Sequence, residues 1–160
     1  MSQKINLKEV VHRIESIARD RMRNQDVVEI DSFKKRQQPK TILVIEDDPS
    51  VMRSLDRVFQ KEGYKVLCAE DGTQLNQFSD LPIDFIILDI GLPWLNGYEL
   101  AELLKQSKDL ENIPMIFLSG QTESEAVKKG FSVGADDFVK KPFDIEQLKK
   151  TVRTLLALRE

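Results

Sequence analysis

The feature that most constrains the fold is a regular alternation that begins at residue 41. Short runs of Ile, Leu, Val and Phe are separated by stretches in which apolar residues recur every three or four positions. Runs of the first kind are typical of buried strands, and stretches of the second kind are typical of amphipathic helices. Because regular βα alternation favours a parallel sheet with helices on both faces, we predict a doubly wound α/β fold.

The pattern predicts five strands and five helices, and polar residues and glycine support their ends. Asp48 before Pro49, and Asp144, are expected N-caps, and Gly63 is an expected helix end. The predicted strands are residues 41–46, 64–69, 83–90, 113–119 and 136–140, and the predicted helices are residues 49–63, 73–79, 97–106, 122–134 and 144–160.

Charge divides the chain near residue 40. Residues 1–40 hold ten Lys and Arg against six Asp and Glu, a net charge of +4, whereas residues 41–160 hold 14 against 21, a net charge of −7. We therefore expect an N-terminal segment, residues 1–39, and a main domain, residues 40–160. An acidic main domain argues against direct binding of nucleic acid, which needs a basic face.

Chemically active side chains stand where the predicted strands end. Glu46 and Asp47 end the first strand, Asp89 the third and Ser119 the fourth, and Lys141 follows the fifth. In such folds ligands bind beyond the carboxyl ends of the strands. The sequence therefore predicts a site in which carboxylates, a hydroxyl and an ammonium group meet.

This combination of side chains suits a phosphoryl group and a divalent cation. Carboxylate oxygens are preferred ligands of Mg²⁺, which keeps waters that a phosphate can replace. An ammonium group and a hydroxyl can bind phosphate oxygens, and an aspartate can act as the nucleophile. We therefore expect a carboxylate that accepts a phosphoryl group.

Four stretches in order resemble the receiver domain of two-component response regulators, the CheY-like superfamily: ILVIEDDPSV, FIILDIGLPWLNGYEL, IPMIFLSG and GADDFVKKPF. The separations from Asp89 to Ser119, 30 residues, and from Ser119 to Lys141, 22 residues, are similar to those of the family. The resemblance covers residues 41–160 and implies a flavodoxin-like (βα)5 fold. We also expect a single-domain type with an N-terminal helical extension, in which no output domain follows the last helix.

The resemblance implies a metal site at the end of the first and third strands. Asp47, Asp89 and the backbone carbonyl of Gly91 would bind Mg²⁺, or Mn²⁺ in its place, and Glu46 would act through a metal-bound water. Asp48, the third acid of the run, is expected instead to cap the following helix.

The same resemblance implies roles in phosphoryl transfer and in switching. Asp89 would be the phosphoacceptor, and Lys141 and Ser119 would bind the phosphoryl group. Ser119 and Phe138 would form the switch, with Phe138 in a place where the family often has Tyr. A cis bond between Lys141 and Pro142 is also implied.

As a member of that family, the protein would receive its phosphoryl group from a sensor histidine kinase or a phosphotransfer protein. It would catalyse only its own phosphorylation and dephosphorylation. Its downstream protein target would bind through the fourth helix, fifth strand and fifth helix of the main domain, or through the N-terminal helix. We expect a cytoplasmic protein, since no signal peptide or membrane span is evident.

The N-terminal segment contains one stretch of helical spacing, INLKEVVHRIESIARDRM, followed by a basic linker. This helix could pack on the main domain, pair with a second copy, bind a partner protein or, less in keeping with its mixed charges, lie on a membrane surface. His12 in this helix is interpreted as an ordinary histidine, because no pattern of a phosphotransfer site surrounds it.

Two other functions agree with parts of the sequence. The main domain could be a receiver-like interaction module that works without phosphorylation, although its complete set of site residues argues against this. It could also be a phosphatase of the haloacid-dehalogenase type, but the acids of the first strand read EDD where that family has a D-x-D motif.

Overall fold

The computed structural model describes residues 11–19, 38–93, 95–120 and 124–159, with only the backbone of residues 124 and 125. Contacts divide the chain into two units, Met1–Pro39 and Lys40–Glu160. In the first unit, residues 11–19 form helix α1. The rest of the predicted N-terminal helix lies outside the described residues.

The second unit contains the predicted alternation of strands and helices. Each element differs from its predicted range by at most three residues at either end. Strand β1 is Thr41–Ile45, β2 is Lys65–Ala69, β3 is Phe85–Asp89, β4 is Met115–Ser119 and β5 is Asp137–Lys140. The helices are α2 (Pro49–Lys61), a 3₁₀ helix (Gly72–Phe78), α3 (Gly97–Lys105), α4 (Ser124–Ser132) and α5 (Ile145–Ala157).

The five strands form one parallel sheet in the order β2-β1-β3-β4-β5. The chain therefore starts in the interior of the sheet, moves out to one edge and crosses back to build the other half. This arrangement confirms the predicted doubly wound, flavodoxin-like fold. The change of direction lies between β1 and β3, where a crevice is expected at the carboxyl ends of the strands.

Each face of the sheet buries its own apolar cluster, because strand side chains alternate between the two faces. On one face, Ile42, Val44 and Ile87 pack with the apolar sides of α2 and α5. On the other face, Leu43 and Leu88 pack with residues of α3 and with the segment around β5. The central strands β1, β3 and β4 are buried along their whole length, as expected for a sheet that is covered on both sides.

The polar helix ends behave as the sequence predicts. The Asp48 side chain accepts hydrogen bonds from Ser50 N and Val51 N, and Asp144 caps α5 in the same way. Gly63 follows the end of α2 with φ +91°, a conformation in which a Cβ would be strained. These contacts satisfy backbone groups that a helix leaves without partners at its ends.

The predicted helix over residues 73–79 is a 3₁₀ helix rather than an α-helix. In a 3₁₀ helix residues three apart lie on the same side, and the two apolar residues of this segment, Leu75 and Phe78, are three apart. Both pack against the same core cluster. Neither Leu75 nor Phe78 has an apolar residue four positions away within the segment, which is the spacing that an α-helix would bring to one side.

Helix α1, in the first unit, exposes its apolar residues. Its apolar residues Val11, Ile14 and Ile17 are 45%, 60% and 54% exposed, and His12 is also exposed. Arg19 and Glu15 form an exposed ion pair of 3.8 Å on its surface. Among the described residues, no helix is both long enough and apolar enough to cross a membrane.

Candidate functional site

The order of the strands brings the predicted site residues to one edge of the sheet. Strands β1, β3, β4 and β5 are consecutive neighbours, so their carboxyl ends lie side by side. Asp89 pairs in register with Leu118, and Ser119 pairs with Lys140. The Lys141 amide donates a hydrogen bond of 2.7 Å to the Ser119 carbonyl, which continues this ladder by one residue.

Three carboxylates converge at this edge, two from the residues directly after β1 and one from the end of β3. Glu46, Asp47 and Asp89 each place a carboxylate oxygen within 4.8 Å of the others. Glu46 and Asp89 are buried, whereas Asp47 is the more accessible of the three. Like charges at this separation repel one another, so the cluster needs a cation to remain ionised.

Lys141 supplies part of that positive charge. Its Nζ lies 2.8 Å from Glu46 Oε2 and 3.2 Å from Asp89 Oδ2. The peptide bond between Lys141 and Pro142 is cis, as the resemblance implied. The neighbouring Lys140 is exposed, so only the second lysine of the pair reaches the cluster.

Backbone amides hold the two buried carboxylates in place. The Asp48 amide donates to Glu46 Oε1 at 3.1 Å, and the Gly91 amide donates to Asp89 Oδ1 at 2.9 Å. Together with Lys141, these donors bind both oxygens of each carboxylate. These contacts cannot be predicted from the sequence, because backbone donors are present at nearly every residue and leave no signal in the sequence.

Burial and ion pairing shift the pKa values of Glu46 and Lys141 at the cluster. Burial raises the pKa of Glu46 to about 7, although its hydrogen bond with Lys141 acts in the opposite direction. Burial alone would lower the pKa of Lys141, but the hydrogen bond and charge of Glu46 and the charge of Asp89 outweigh it, so this pKa is raised. The lysine therefore stays charged and does not by itself balance the three acids.

The donor set fits a hard divalent cation. Oxygen ligands from one or two carboxylates suit Mg²⁺, and both Asp47 and Asp89 offer an oxygen at this edge. The role of Glu46 through a metal-bound water stays a prediction, because both oxygens of Glu46 and both oxygens of Asp89 have protein donors. The role of the Gly91 carbonyl stays a prediction.

The third acid of the run, Asp48, has a different environment. It is exposed, and its Oδ1 accepts hydrogen bonds from Ser50 N at 2.8 Å and Val51 N at 3.5 Å. The hydrogen bond from Ser50 is the main reason that its pKa is lowered. The side chain of Asp48 thus serves helix α2, while its backbone amide serves Glu46.

The two predicted switch residues lie on adjacent strands. Ser119 is buried at the end of β4, and Phe138 is half-buried in β5. The Phe138 ring meets Phe117 edge-on, with 6.4 Å between the ring centroids. Phe117 is two residues before Ser119 on the same strand, so the aromatic pair lies directly behind the site.

Comparisons with known proteins agree with this geometry. A family model described as the response regulator receiver domain matches residues 42–153. Aerobic respiration control protein ArcA of Escherichia coli K12 is 36% identical over 117 residues, which are 72% of this chain and 48% of that protein. Response regulator SaeR of Staphylococcus aureus USA300 is 32% identical over 115 residues, 72% of this chain and 50% of that protein.

The chain thus spans about half the length of these curated relatives. Among solved structures, a putative response regulator from Chloroflexus aurantiacus superimposes with a TM-score of 0.69 and 33% identity, over 74% of this chain and 98% of that one. Residues 42–153 include every residue of the acidic cluster together with Ser119 and Lys141. The chain therefore belongs to the response regulator receiver domain family.

Proposed function

We propose that the main domain accepts one phosphoryl group on Asp89 in a Mg²⁺-dependent reaction and then changes conformation to control partner proteins. The observation that carries the proposal is the position of Lys141, whose ammonium group lies within 3.2 Å of Asp89 while Asp47 and Glu46 surround the same carboxylate. Phosphoryl transfer depends mainly on such positioning and on charge neutralisation.

In the proposed reaction, a carboxylate oxygen of Asp89 attacks the phosphorus atom of the donor. The bond from phosphorus to the leaving group breaks, and the leaving group departs with the electron pair. The product on the protein is an acyl phosphate. Bound Mg²⁺ would supply positive charge to the phosphoryl oxygens, and Asp47 and Asp89 would hold it.

Lys141 would exchange one partner for another during this reaction. Its ammonium group contacts Asp89 Oδ2, and it would bind a phosphoryl oxygen once that carboxylate is phosphorylated. Ser119, at the end of the neighbouring strand, would bind a second phosphoryl oxygen and move toward it. Phe138 would follow into the space behind Ser119, which gives a two-state switch.

The natural phosphodonor in this proposal is a sensor histidine kinase or a phosphotransfer protein in the cytoplasm. The domain would act on no other substrate, so its only catalysis would be its own phosphorylation and dephosphorylation. Its target would be a protein that recognises the surface of α4, β5 and α5, or the N-terminal helix. Direct binding to nucleic acid is not part of the proposal, because the main domain is acidic.

The proposal is tested by incubating the protein with acetyl phosphate and Mg²⁺ and measuring its intact mass. One phosphoryl group should be gained with Mg²⁺ and none when the metal is chelated. The alternative, a receiver-like module that works without phosphorylation, predicts no adduct and no measurable Mg²⁺ binding. Binding of Mg²⁺ without any uptake of phosphoryl would also contradict the proposal.

A further inference from the structure

A tyrosine at the start of α3 ties that helix to α4. The Tyr98 hydroxyl donates a hydrogen bond of 3.0 Å to the Ala126 carbonyl, 28 residues further along the chain. Lys129, also on α4, places its Nζ 4.8 Å from the centroid of the Tyr98 ring. Two separate contacts therefore connect one side chain of α3 with the first and second turns of α4.

The same ring continues into the switch. Tyr98 meets Phe117 edge-on with 5.8 Å between centroids, and Phe117 meets Phe138 in the same manner. A Cβ on Gly130 of α4 would lie 3.0 Å from Phe138 and 3.1 Å from Phe117, so the helix backbone rests directly on these two rings. A shift of Phe138 would therefore require α4 to move or the contacts of Tyr98 to change.

The backbone of α3 links Tyr98 to the phosphoacceptor loop. Tyr98 follows Gly97, whose amide donates a hydrogen bond to the carbonyl of Ile90, the residue directly after Asp89. The Tyr98 amide is itself held by the Asn96 side chain at 2.9 Å. The tyrosine thus lies between the loop that follows Asp89 and the helix that covers the switch.

The contact between Lys141 and Asp89 accompanies this arrangement of α3 and α4. Lys141 binds the Asp89 carboxylate itself, and this oxygen would carry or adjoin the phosphoryl group after transfer. The hydrogen bond from Tyr98 to Ala126 holds α4 in the position that accompanies this contact. A movement of α4 away from Tyr98 would break that hydrogen bond.

We propose that Tyr98 is a positioning residue of the switch, whose hydroxyl holds α4 in the unphosphorylated position and opposes the change to the active state. The inference rests on the proposed phosphoacceptor function. A ligand that binds only the active state has an apparent affinity that scales with the population of that state. Loss of one neutral hydrogen bond from the other state should therefore raise that affinity about 2- to 10-fold.

The test uses the full chain and two conservative variants. Tyr98→Phe keeps the ring and its contacts but removes the hydroxyl. Tyr64→Phe is the matched control. Tyr64 is the only other tyrosine of the chain, and it is also half-buried and edge-on to a phenylalanine. Unlike that of Tyr98, its hydroxyl makes no hydrogen bond within the described residues. Beryllofluoride with saturating Mg²⁺ serves as the probe of the active state, and amide hydrogen exchange reports on α4.

We expect Tyr98→Phe to lower the beryllofluoride concentration at half-saturation about 2- to 10-fold and to speed amide exchange in α4 by a similar factor. Tyr64→Phe should leave both at the wild-type value. A purely structural tyrosine would lower stability without raising the affinity. Unchanged or weaker affinity in Tyr98→Phe, with normal binding by the wild type, overturns the role of Tyr98. No binding by the wild type overturns the proposed function itself, and this inference with it.

Discussion

The ammonium group of Lys141 lies 2.8 Å from a carboxylate oxygen of Glu46, although 95 residues separate them in sequence. Glu46 is completely buried, whereas the Lys141 side chain is 25% exposed. A buried carboxylate of this kind is stable as an anion only with a paired cation. The pair therefore joins the first strand of the domain to the loop after the last.

Replacing Lys141 by Ala should destabilise the domain strongly in the absence of metal. The change leaves Glu46 and Asp89 buried without their cation, so we expect a loss of about 3 kcal/mol in the free energy of unfolding. Lys149→Ala is the control, because Lys149 pairs with Glu62 and Glu146 near the surface and should cost at most about 1 kcal/mol. Urea unfolding measures both. Equal losses in the two variants would contradict the importance of the buried pair.

Replacing Asp48 by Ala should affect stability and leave the chemistry intact. Since its side chain caps α2, we expect a cost of about 1 kcal/mol. Asp144→Ala removes the equivalent cap of α5 and should cost a similar amount.

Asp47→Ala should instead abolish Mg²⁺ binding, which isothermal titration can measure. If Asp48→Ala removed the metal and Asp47→Ala did not, the assignment would be wrong by one residue.

The different roles of these adjacent acids show how far the sequence can predict such a site. The ends of parallel strands share one edge of the sheet, so the convergence of Glu46, Asp89, Ser119 and Lys141 followed from the strand pattern alone. The cap role of Asp48 followed from Pro49, which can occupy only the first turn of a helix. In both cases the sequence pattern of one element, combined with a general rule about strand ends or helix ends, predicts where the side chain lies.

Other features depend on contacts that no local pattern records. Tyr98 was not singled out by the sequence, because its partner is the backbone carbonyl of Ala126, and every residue has such a carbonyl. Cys68 lies in an apolar stretch but is only half-buried, because β2 forms an edge of the sheet. The order of the strands, rather than the apolar character of one strand, determines this exposure.

Gly97→Ala should destabilise the loop that follows Asp89. A Cβ at this position would lie 2.3 Å from Ile90 Cα, so the backbone must move, at a cost of about 1–3 kcal/mol. Gly120→Ala is the control, because its Cβ would meet no described atom within 4 Å and should change stability by at most about 0.5 kcal/mol. Thermal unfolding distinguishes the two. A neutral Gly97→Ala would contradict the close approach of α3 to this loop.

Cys68 should resist alkylation at moderately alkaline pH. Burial, followed by the charges of Asp56 and Glu70, raises the pKa of its thiol from 9.0 to about 11. The rate of reaction with iodoacetamide should therefore rise with a midpoint near this higher value in the folded protein, since only the thiolate reacts. Chain unfolded in guanidinium chloride, the control, should react with a midpoint near the ordinary value.

The same shift has a consequence for stability. Between pH 9.0 and about 11 the unfolded chain has released the Cys68 proton and the folded chain has kept it, so the folded state binds more protons. Stability from this group is complete below pH 9.0 and decreases as the pH rises through this range. A Cys68 that reacts equally fast folded and unfolded at pH 9 would contradict its burial.

The phosphoacceptor role of Asp89 is tested most directly by incubating three proteins with acetyl phosphate and Mg²⁺. Intact mass and peptide mapping then locate the phosphoryl group in each. The wild type should carry one phosphoryl group on Asp89, and Asp89→Asn should carry none. Asp84→Asn is the control and should be labelled like the wild type. It changes a carboxylate near the opposite end of β3, which accepts a hydrogen bond from Thr41 N. A phosphoryl group on Asp89→Asn, or none on the wild type, would contradict the role of Asp89 as the phosphoacceptor.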